Sequence, residues 1–514
     1  MPPARRLRPS ALRMRRGVHR CLVWVASFAA ALILVVAVGL WRLAQGPVEL
    51  GRLTPYVEEA LNRSADGYRV AISGVRFAID RGNHQLDLRI AGVRLSRVDG
   101  APIASFSEIS TGFSLSSLLR GRLTPTRLLV ERPVLRFVRN QDGKIGFRFS
   151  GQDPDAPGFG PEILGAADVP RQPQTALGSL RKVVVRGATL HLDDERTGRH
   201  WQADSVDATL ERNPDGLAGD LSLATMIGAR TPEIHASYRY WSDDRMLDFT
   251  LEFGAVEPAA FATLTPDFAP LAAVEVPISG TVRTRIDLAA ATTEGFRVDL
   301  GFGKGSLKSA LLPEGAVTLQ QGELHAVYAP ESGQLRLAKL DLDLGGGAVL
   351  AVKGSLDAIT PELITGTDPA ASQIPGKLGI VLSNVPVVKF QSLWPPALSP
   401  GARRWVLANI RDGVLDQAAI QLDLGVDPAA RSAEIVSARG SMRYHDLTIS
   451  YFGGLAPVRK VSGTATLSDK QIEFTPTAGM IKSVHVTGGV IRMTDLGAPV
   501  EWQTIDLALS GPIR

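Results

Sequence analysis

The chain has 514 residues, 45% apolar and 21% charged, which excludes wholesale disorder and suggests roughly three ordinary cores at about 150 residues each. Its formal charge of +4 is uneven: seven arginines and no acid stand in the first twenty positions, leaving 49 basic against 52 acidic residues downstream, or −3. A nucleic-acid-binding body is disfavoured, because phosphate recognition needs clustered positive charge on the folded part. Residues 21–41 ("CLVWVASFAAALILVVAVGLW") then run without a charge. As a helix this run spans roughly 32 Å, close to the hydrocarbon core of about 30 Å. It is longer than the roughly 7–15 apolar residues of a secretory signal, and Trp41-Arg42-Leu43-Ala44-Gln45 offers no convincing cleavage site. An uncleaved anchor over 21–43 is therefore preferred to a cleaved signal or a buried core helix. The positive-inside rule leaves the basic tail (1–20, with Arg13, Arg15, Arg16 and Arg20 nearest the bilayer) in the cytoplasm and sends the rest across. The single cysteine, Cys21, opens the hydrophobic run, so no disulfide can staple the following body.

Thr54 and Pro55 predict an N-cap and first helical residue, with Val57, Ala60 and Leu61 on one face. From residue 69 the period becomes two: Val70 and Ile72, Phe77 and Ile79, then Leu86, Leu88 and Ile90. Val93 and Leu95 continue with shifted parity, predicting a bulge or bend at Gly92. A short helix is expected over 114–120, strands over 127–130 and 134–138, and a hairpin turn at Asp142-Gly143. Residues 150–178, rich in Pro, Gly and Asp, read as a loop or linker between an N-terminal unit (44–149) and a longer region (179–514).

Strand signals then recur over 182–192, 217–223, 234–240, 247–253, 296–302, 335–344, 349–356, 420–424 and 471–475. Turns are marked by Asp215-Gly216, Ser332-Gly333 and Gly345-Gly346-Gly347. Helical interruptions are expected over 258–264 and within 386–413. The second divides at Trp394-Pro395-Pro396, restarts at Ser399-Pro400 and runs to Asp412, with Gly413 at C′. Few connections are long enough for parallel crossovers. The expected fold is mainly β: an N-terminal transmembrane helix, then an elongated antiparallel amphipathic sheet of repeated hairpins forming a groove, with a few short helices.

Period-two strands place apolar side chains on one face. The candidates for that face are Leu86, Leu88, Ile90, Leu190, Leu192, Leu221, Leu223, Leu335, Leu337, Leu340, Leu342, Leu344, Leu422 and Leu424. The bland reading closes two sheets on each other as sandwiches. An open face is favoured by hairpins continuing without a domain linker, by only 6% aromatics and by the sparse helices. An uncovered apolar face of that size needs a partner or a lipid.

Residues 109–147 ("ISTGFSLSSLLRGRLTPTRLLVERPVLRFVRNQDGKIGF") resemble the N-terminal unit of AsmA-like proteins. Residues 392–424 ("SLWPPALSPGARRWVLANIRDGVLDQAAIQLDL") resemble the signature of the YhdP type, in Trp394-Pro395, Ala402-Arg403-Arg404-Trp405, Asn409 and Gly413. Residues 440–467 continue that pattern. The resemblance implies a single-pass bacterial inner-membrane protein with its bulk in the periplasm, built from repeated β-groove units. Its implied role is moving glycerophospholipid between inner and outer membrane in support of the outer-membrane barrier. Exposing a diacyl lipid's roughly thirty methylenes to water would cost about 24 kcal/mol. Escape over such a barrier has a rate on the order of 10⁻⁵ per second, which an apolar trough would relieve. Proteins of this type are usually longer. About 25–30 strands at about 4.8 Å reach roughly 120–145 Å, so the chain is either a truncated form or one needing an outer-membrane or periplasmic partner at its distal end. The alternative role is a scaffold or assembly factor for outer-membrane proteins, binding β-strands at an open sheet edge.

Catalytic signals are weak: no nucleophile–base constellation, G-x-S-x-G or H-E-x-x-H is present, so an enzyme and a cofactor are not expected. Gly301–Ser306 has phosphate-loop glycines, but Gly305 replaces the Ser/Thr after Lys304, and a strand-end turn is the better reading. His191 and His200 bracket Asp193-Asp194-Glu195, read as a solvated hairpin in preference to a metal site. Trp394 and Trp405 are expected to pack the helical pair onto the sheet, with gating or lining of the groove as the other reading.

Overall fold

A computed structural model describes residues 48–64, 68–80, 85–97, 102–113, 125–139, 145–148, 180–195, 198–227, 230–262, 266–290, 292–309, 312–360, 373–396, 400–428, 432–450, 456–468, 470–495 and 502–512, with residues 27, 31, 34, 38, 42, 363 and 500 singly. The basic tail with Arg13, Arg15, Arg16 and Arg20, the expected helix at 114–120, the turn at 142–143 and the linker at 150–178 lie outside the described residues. Of the expected anchor, only Ser27, Ala31, Leu34, Val38 and Arg42 are described, and each is helical. Among the described residues no helix is long and apolar enough to cross a membrane. The chain divides into two compact units, Met1–Asp193 with Thr209–Arg212, and Asp194–Ala208 with Asn213–Arg514.

The first unit holds β1 (Val48–Glu49), α1 (Thr54–Ser64), β2 (Tyr68–Ala71), β3 (Gly74–Asp80), β4 (Gln85–Arg97), β5 (Pro102–Phe113), β6 (Pro125–Glu131), β7 (Val134–Arg139), β8 (Ile145–Arg148) and β9 (Lys182–Asp194). Helix α1 follows a 3₁₀ turn, Gly51–Leu53, and Thr54 is its first residue, already helical at φ −49 and ψ −51, so it is not the expected N-cap. The helix lays Val57 and Leu61 on a core of Ile72, Val75, Ile90 and Val93. The Asn62 side chain ties it to β2, donating to Val70 O and accepting from Val70 N, both at 2.8 Å. Strand β4 pairs with β3 before Gly92 and with β2 after it. Gly92 takes φ +60, and a Cβ there would lie 2.2 Å from Ser73 Oγ, so the expected break is a bend that only glycine fits. The register with β5 runs through it unshifted (Ala91↔Glu108, Val93↔Phe106). One expectation fails here. Strand β6 pairs in parallel with β9, from Arg127↔Lys182 to Glu131↔Arg186, so pairing is not wholly antiparallel. The intervening 50 residues, 132–181, are ample for a crossover, which needs a dozen or more.

The second unit holds β10 (Arg199–Asn213), β11 (Gly216–Ala224), β12 (Glu233–Trp241), β13 (Met246–Val256), β14 (Val274–Glu275), β15 (Ile278–Asp287), β16 (Thr292–Phe302), β17 (Gly305–Lys308), β18 (Ala316–Leu319), β19 (Gln321–Ala329), β20 (Gln334–Gly345), β21 (Ala348–Leu356), β22 (Ile374–Pro386), α2 (Val387–Leu393), α3 (Pro400–Asn409), β23 (Val414–Asp427), β24 (Ser432–Ile449), β25 (Val458–Ser468), β26 (Gln471–Ile481), β27 (Val484–Thr494) and β28 (Trp502–Ser510). From β11 to β28 it is an antiparallel meander in which each strand pairs with the next, except that β14, β17 and β18 leave it to form a separate three-stranded sheet. The expected helix over 258–264 is two 3₁₀ turns, Pro258–Phe261 and Pro266–Ala273. Gly301–Ser306 is a strand-to-strand turn between β16 and β17, with Gly303 N bonded to Pro277 O at 2.8 Å. Helix α2 has the expected bounds, but α3 stops three residues before Asp412. Gly413 is therefore not its C′ residue.

Candidate functional site

The registers of the second unit align apolar side chains into rows that cross strand after strand. One row runs Leu221, Ala236, Leu251, Val282, Val298, Ala326, Leu337, Gly354, Leu378, Leu422 and Ala438, from β11 to β24. A second runs beside it through Leu223, Ile234, Phe253, Gly280, Leu300, Leu324, Leu340, Val352, Ile380, Ile420 and Gly440. A third carries Phe249, Phe296, Tyr328, Leu335, Leu356, Leu424 and Ile435. Side chains of directly paired residues lie on the same side of a sheet, so the rows make one face.

Leucines 335 and 337 have the wrong parity to share a face with 340, 342 and 344 on a regular strand. A bulge at Ala338-Lys339, between the pairs Leu337↔Gly354 and Leu340↔Val352, restores them to one side. That need for an extra residue was missed in the sequence; the change from odd to even leucines was the signal.

The first two rows are half-buried throughout from Leu221 to Ala438, where a closed sandwich would bury them fully. Eleven strands at about 4.8 Å and two uncovered rows, each about 7 Å wide, make an apolar strip of on the order of 700 Å². That exceeds the largest patch on most soluble monomers, roughly 300–600 Å².

The adjoining margin of the same face is covered. A core there joins Leu342 and Leu344 (5% and 2% exposed), Leu382, Leu415, Ala418 and Tyr444 of the meander to three insertions. The β13–β15 connection supplies Val274 and Val276, the β16–β19 connection supplies Leu307, Val317 and Leu319, and the helical pair supplies Val387, Phe390, Trp394, Trp405, Val406 and Ile410. All three leave the meander at the strand ends beside Val256↔Ile278, Phe302↔Gly322 and Pro386↔Val414, along one margin. At the opposite margin, Tyr328 is buried with Ile359 and Ile374, its hydroxyl donating to Ile359 O at 3.3 Å.

The signature residues build the helical cover. Trp394 stacks on Phe390 at 5.4 Å between centroids, and its carbonyl accepts from Arg403 Nε at 3.0 Å. Asn409 Nδ2 donates to Trp405 O at 2.8 Å, while Asn409 O accepts from Ser450 N at 2.7 Å. Gln391 reaches Ile410 O at 2.9 Å, and Lys389 donates to the carbonyls of Leu344 and Gly345. Gly413, at φ +101, lies so close to β24 that a Cβ would meet Leu447 Cδ2 at 2.7 Å and His445 O at 2.8 Å. Arg404 is exposed. Beneath the pair lies a cavity of about 50 Å³ lined only by apolar surface, with Trp394, Met442, Phe474 and Met493 among its walls. Burial there pushes the Tyr444 hydroxyl up to about 12.

The opposite face is charged and largely cross-paired. Arg285 holds Asp248 at 2.6 and 3.0 Å, and Arg492 holds Glu473 at 2.7 Å. Lys339 bonds Glu323, and His325 Nδ1 meets Asp299 at 2.7 Å. The hydrogen bond from Lys339, then that from His325, holds the Glu323 carboxyl below the usual range. The hydrogen bond to Asp299 chiefly raises His325.

Of the expected face residues, Leu221, Leu223, Leu337, Leu422 and Leu424 lie half-buried in the uncovered rows, with Leu340 beside the covered core. Leu342 and Leu344 are inside that core, and Leu335 packs beside Tyr328. In the first unit, Ile90 is in the core under α1 with Leu88 against it; Leu190 and Leu192 are half-buried on β9. The Leu86 side chain lies outside the described residues. Trp394 and Trp405 pack the helical pair onto the sheet, as the sequence suggests. Among the described residues no three metal-ligating side chains gather as a metal site. No family model, curated protein or solved structure matches the chain.

Proposed function

We propose that the chain is a membrane-anchored lipid-transfer protein of the AsmA-like, YhdP type, which carries phospholipid acyl chains along the uncovered apolar rows of its meander. The observation that carries this reading is the pair of parallel rows from Leu221 to Ala438 and from Leu223 to Gly440: continuous from strand to strand, apolar, half-buried and backed by a charged face. Acyl chains on these rows would avoid about 0.8 kcal/mol per methylene of water exposure, with no single tight site to leave. The arginine tail and residues 21–41 support an inner-membrane anchor with the body in the periplasm.

Full-length protein extracted in detergent should carry glycerophospholipid, read by mass spectrometry of the bound lipid. The paired change Leu337→Asp with Leu422→Asp should empty it while leaving circular dichroism unchanged. A lipid-free wild-type protein, or a double variant still fully loaded, would overturn the reading. Leu342 is a poor probe, because a charge in that core unfolds the protein.

A further inference from the structure

In one hollow of the charged face the cations outnumber the acids. The residues between the apolar rows fall into polar rows of their own: Arg336, Ser355, Lys377, Asp423 and Ser437 in one, and Lys353, Gly379, Gln421 and Arg439 in the next. They border an open hollow of about 680 Å³. Arg336, Lys353 and Lys377 line it, and none makes an ion pair among the described residues. The one acid in the lining, Asp423, stands directly across from Lys377 in the register, but its carboxylate accepts from Ser437 and faces Arg439 at 3.8 Å, so cations remain in excess.

Two features of the fold produce this vacancy of negative charge. The bulge at Ala338-Lys339 stands opposite Lys353, and its lysine turns to Glu323 and Asp341, so the neighbouring strand offers Lys353 no acid. Gly379 then leaves the row beside Lys353 without a side chain. A Cβ there would have only Lys353 O within 4 Å, at 3.8 Å, so the glycine opens the hollow and no steric demand imposes it. Elsewhere on this face Arg285, Lys339 and Arg492 each hold an acid on an adjacent strand, while Arg283 and Arg297, opposite each other on β15 and β16, make no ion pair among the described residues.

We propose that this hollow binds a small phosphate-bearing anion, a phosphomonoester or a diphosphate. Arg336 would supply the fork that matches phosphate oxygens, with Lys353 and Lys377 as point charges beside it. A singly charged carboxylate would leave two of the three cations unmatched. The inference is separate from the lipid-path reading in that Arg336, Lys353 and Lys377 belong to the polar rows, although Leu337, Gly354, Leu378 and Leu422 of the first apolar row also border the hollow. The anion has two possible sources, a free phosphate compound or a phosphate headgroup at a membrane surface.

The test uses the full-length protein in phosphatidylcholine nanodiscs, titrated calorimetrically with inorganic diphosphate at low and high salt. Binding should weaken with salt, and Lys353→Gln with Lys377→Gln should weaken it roughly tenfold or more. The control, Arg492→Gln on the same face, should bind as wild type. Both lysines are exposed, so neither change threatens the fold. Flotation with phosphatidylcholine vesicles, with and without phosphatidic acid, separates the sources: lysine-dependent capture by phosphatidic acid assigns a headgroup, and diphosphate binding without capture assigns a free anion. Absence of diphosphate binding and of lysine-dependent capture, or equal binding by the double variant and wild type, overturns the proposal.

Discussion

Within the second unit, one apolar face has two fates. Its central rows stay half-exposed over eleven strands, whereas the margin beside them is sealed by the small β14–β17–β18 sheet and the α2–α3 pair. Both regions come from the same alternation of aliphatic and polar residues. What differs is where the meander is interrupted: all three covering insertions leave at one margin, and none reaches the middle. The comparison teaches that amphipathic alternation specifies a face but not its occupant. Covered rows add to the buried core, and uncovered rows stay half-buried.

The largest expected effect contrasts Leu344→Asp with Leu422→Asp. A carboxylate at the sealed position should cost about 4 kcal/mol or more, whereas the same change on the open row should cost under about 1 kcal/mol. Urea denaturation followed by circular dichroism checks both, and equal losses would erase the distinction between the regions. Gly413→Ala comes next, at about 2–3 kcal/mol, from the strained φ and the contact with β24. Hydrogen exchange should then rise across α2 and α3 but not across β11–β13. Trp394→Ala should cost about 2 kcal/mol, since the ring is only partly buried, and should enlarge the apolar cavity beneath the pair. Binding of a small apolar probe such as xenon reads that enlargement, and the central rows should be unaffected.

The smallest effect lies on the charged face. His325 is raised above its ordinary 6.5 by its hydrogen bond to Asp299. The folded state therefore favours the protonated ring. Its contribution to stability is complete below about pH 6.5 and fades as pH rises through the folded value. Exposure to solvent keeps that contribution small. Proton NMR should place the midpoint above 6.5, and Asp299→Asn should return it toward 6.5; a midpoint at or below 6.5 in the wild type would remove the pairing.

Much of the meander was legible because its signals are local. Alternation around Leu217 and Leu247 reappears as β11 and β13, and the turns at Asp215-Gly216 and Gly345-Gly347 as the β10–β11 and β20–β21 connections. Helix α2 was legible too, bounded by prolines on both sides. The small sheet was not, because Gly305–Lys308 and Ala316–Leu319 are four residues each and too short for a periodic signal. The parallel pairing of β6 with β9 was also hidden, since no local feature records a partner reached across 50 residues.

Sequence alone determined that the body is mainly β, that its strands have an apolar and a polar face, and where most turns fall, because side-chain alternation and turn chemistry act over a few residues. Tertiary structure decided the rest. The Ala338-Lys339 bulge brought five leucines to one side, and the insertions chose which of them are sealed. On the other face, beside the same bulge and Gly379, three cations make no ion pair among the described residues. Each of these outcomes depends on which strand lies beside which, and in what register, a relation between residues far apart in the chain.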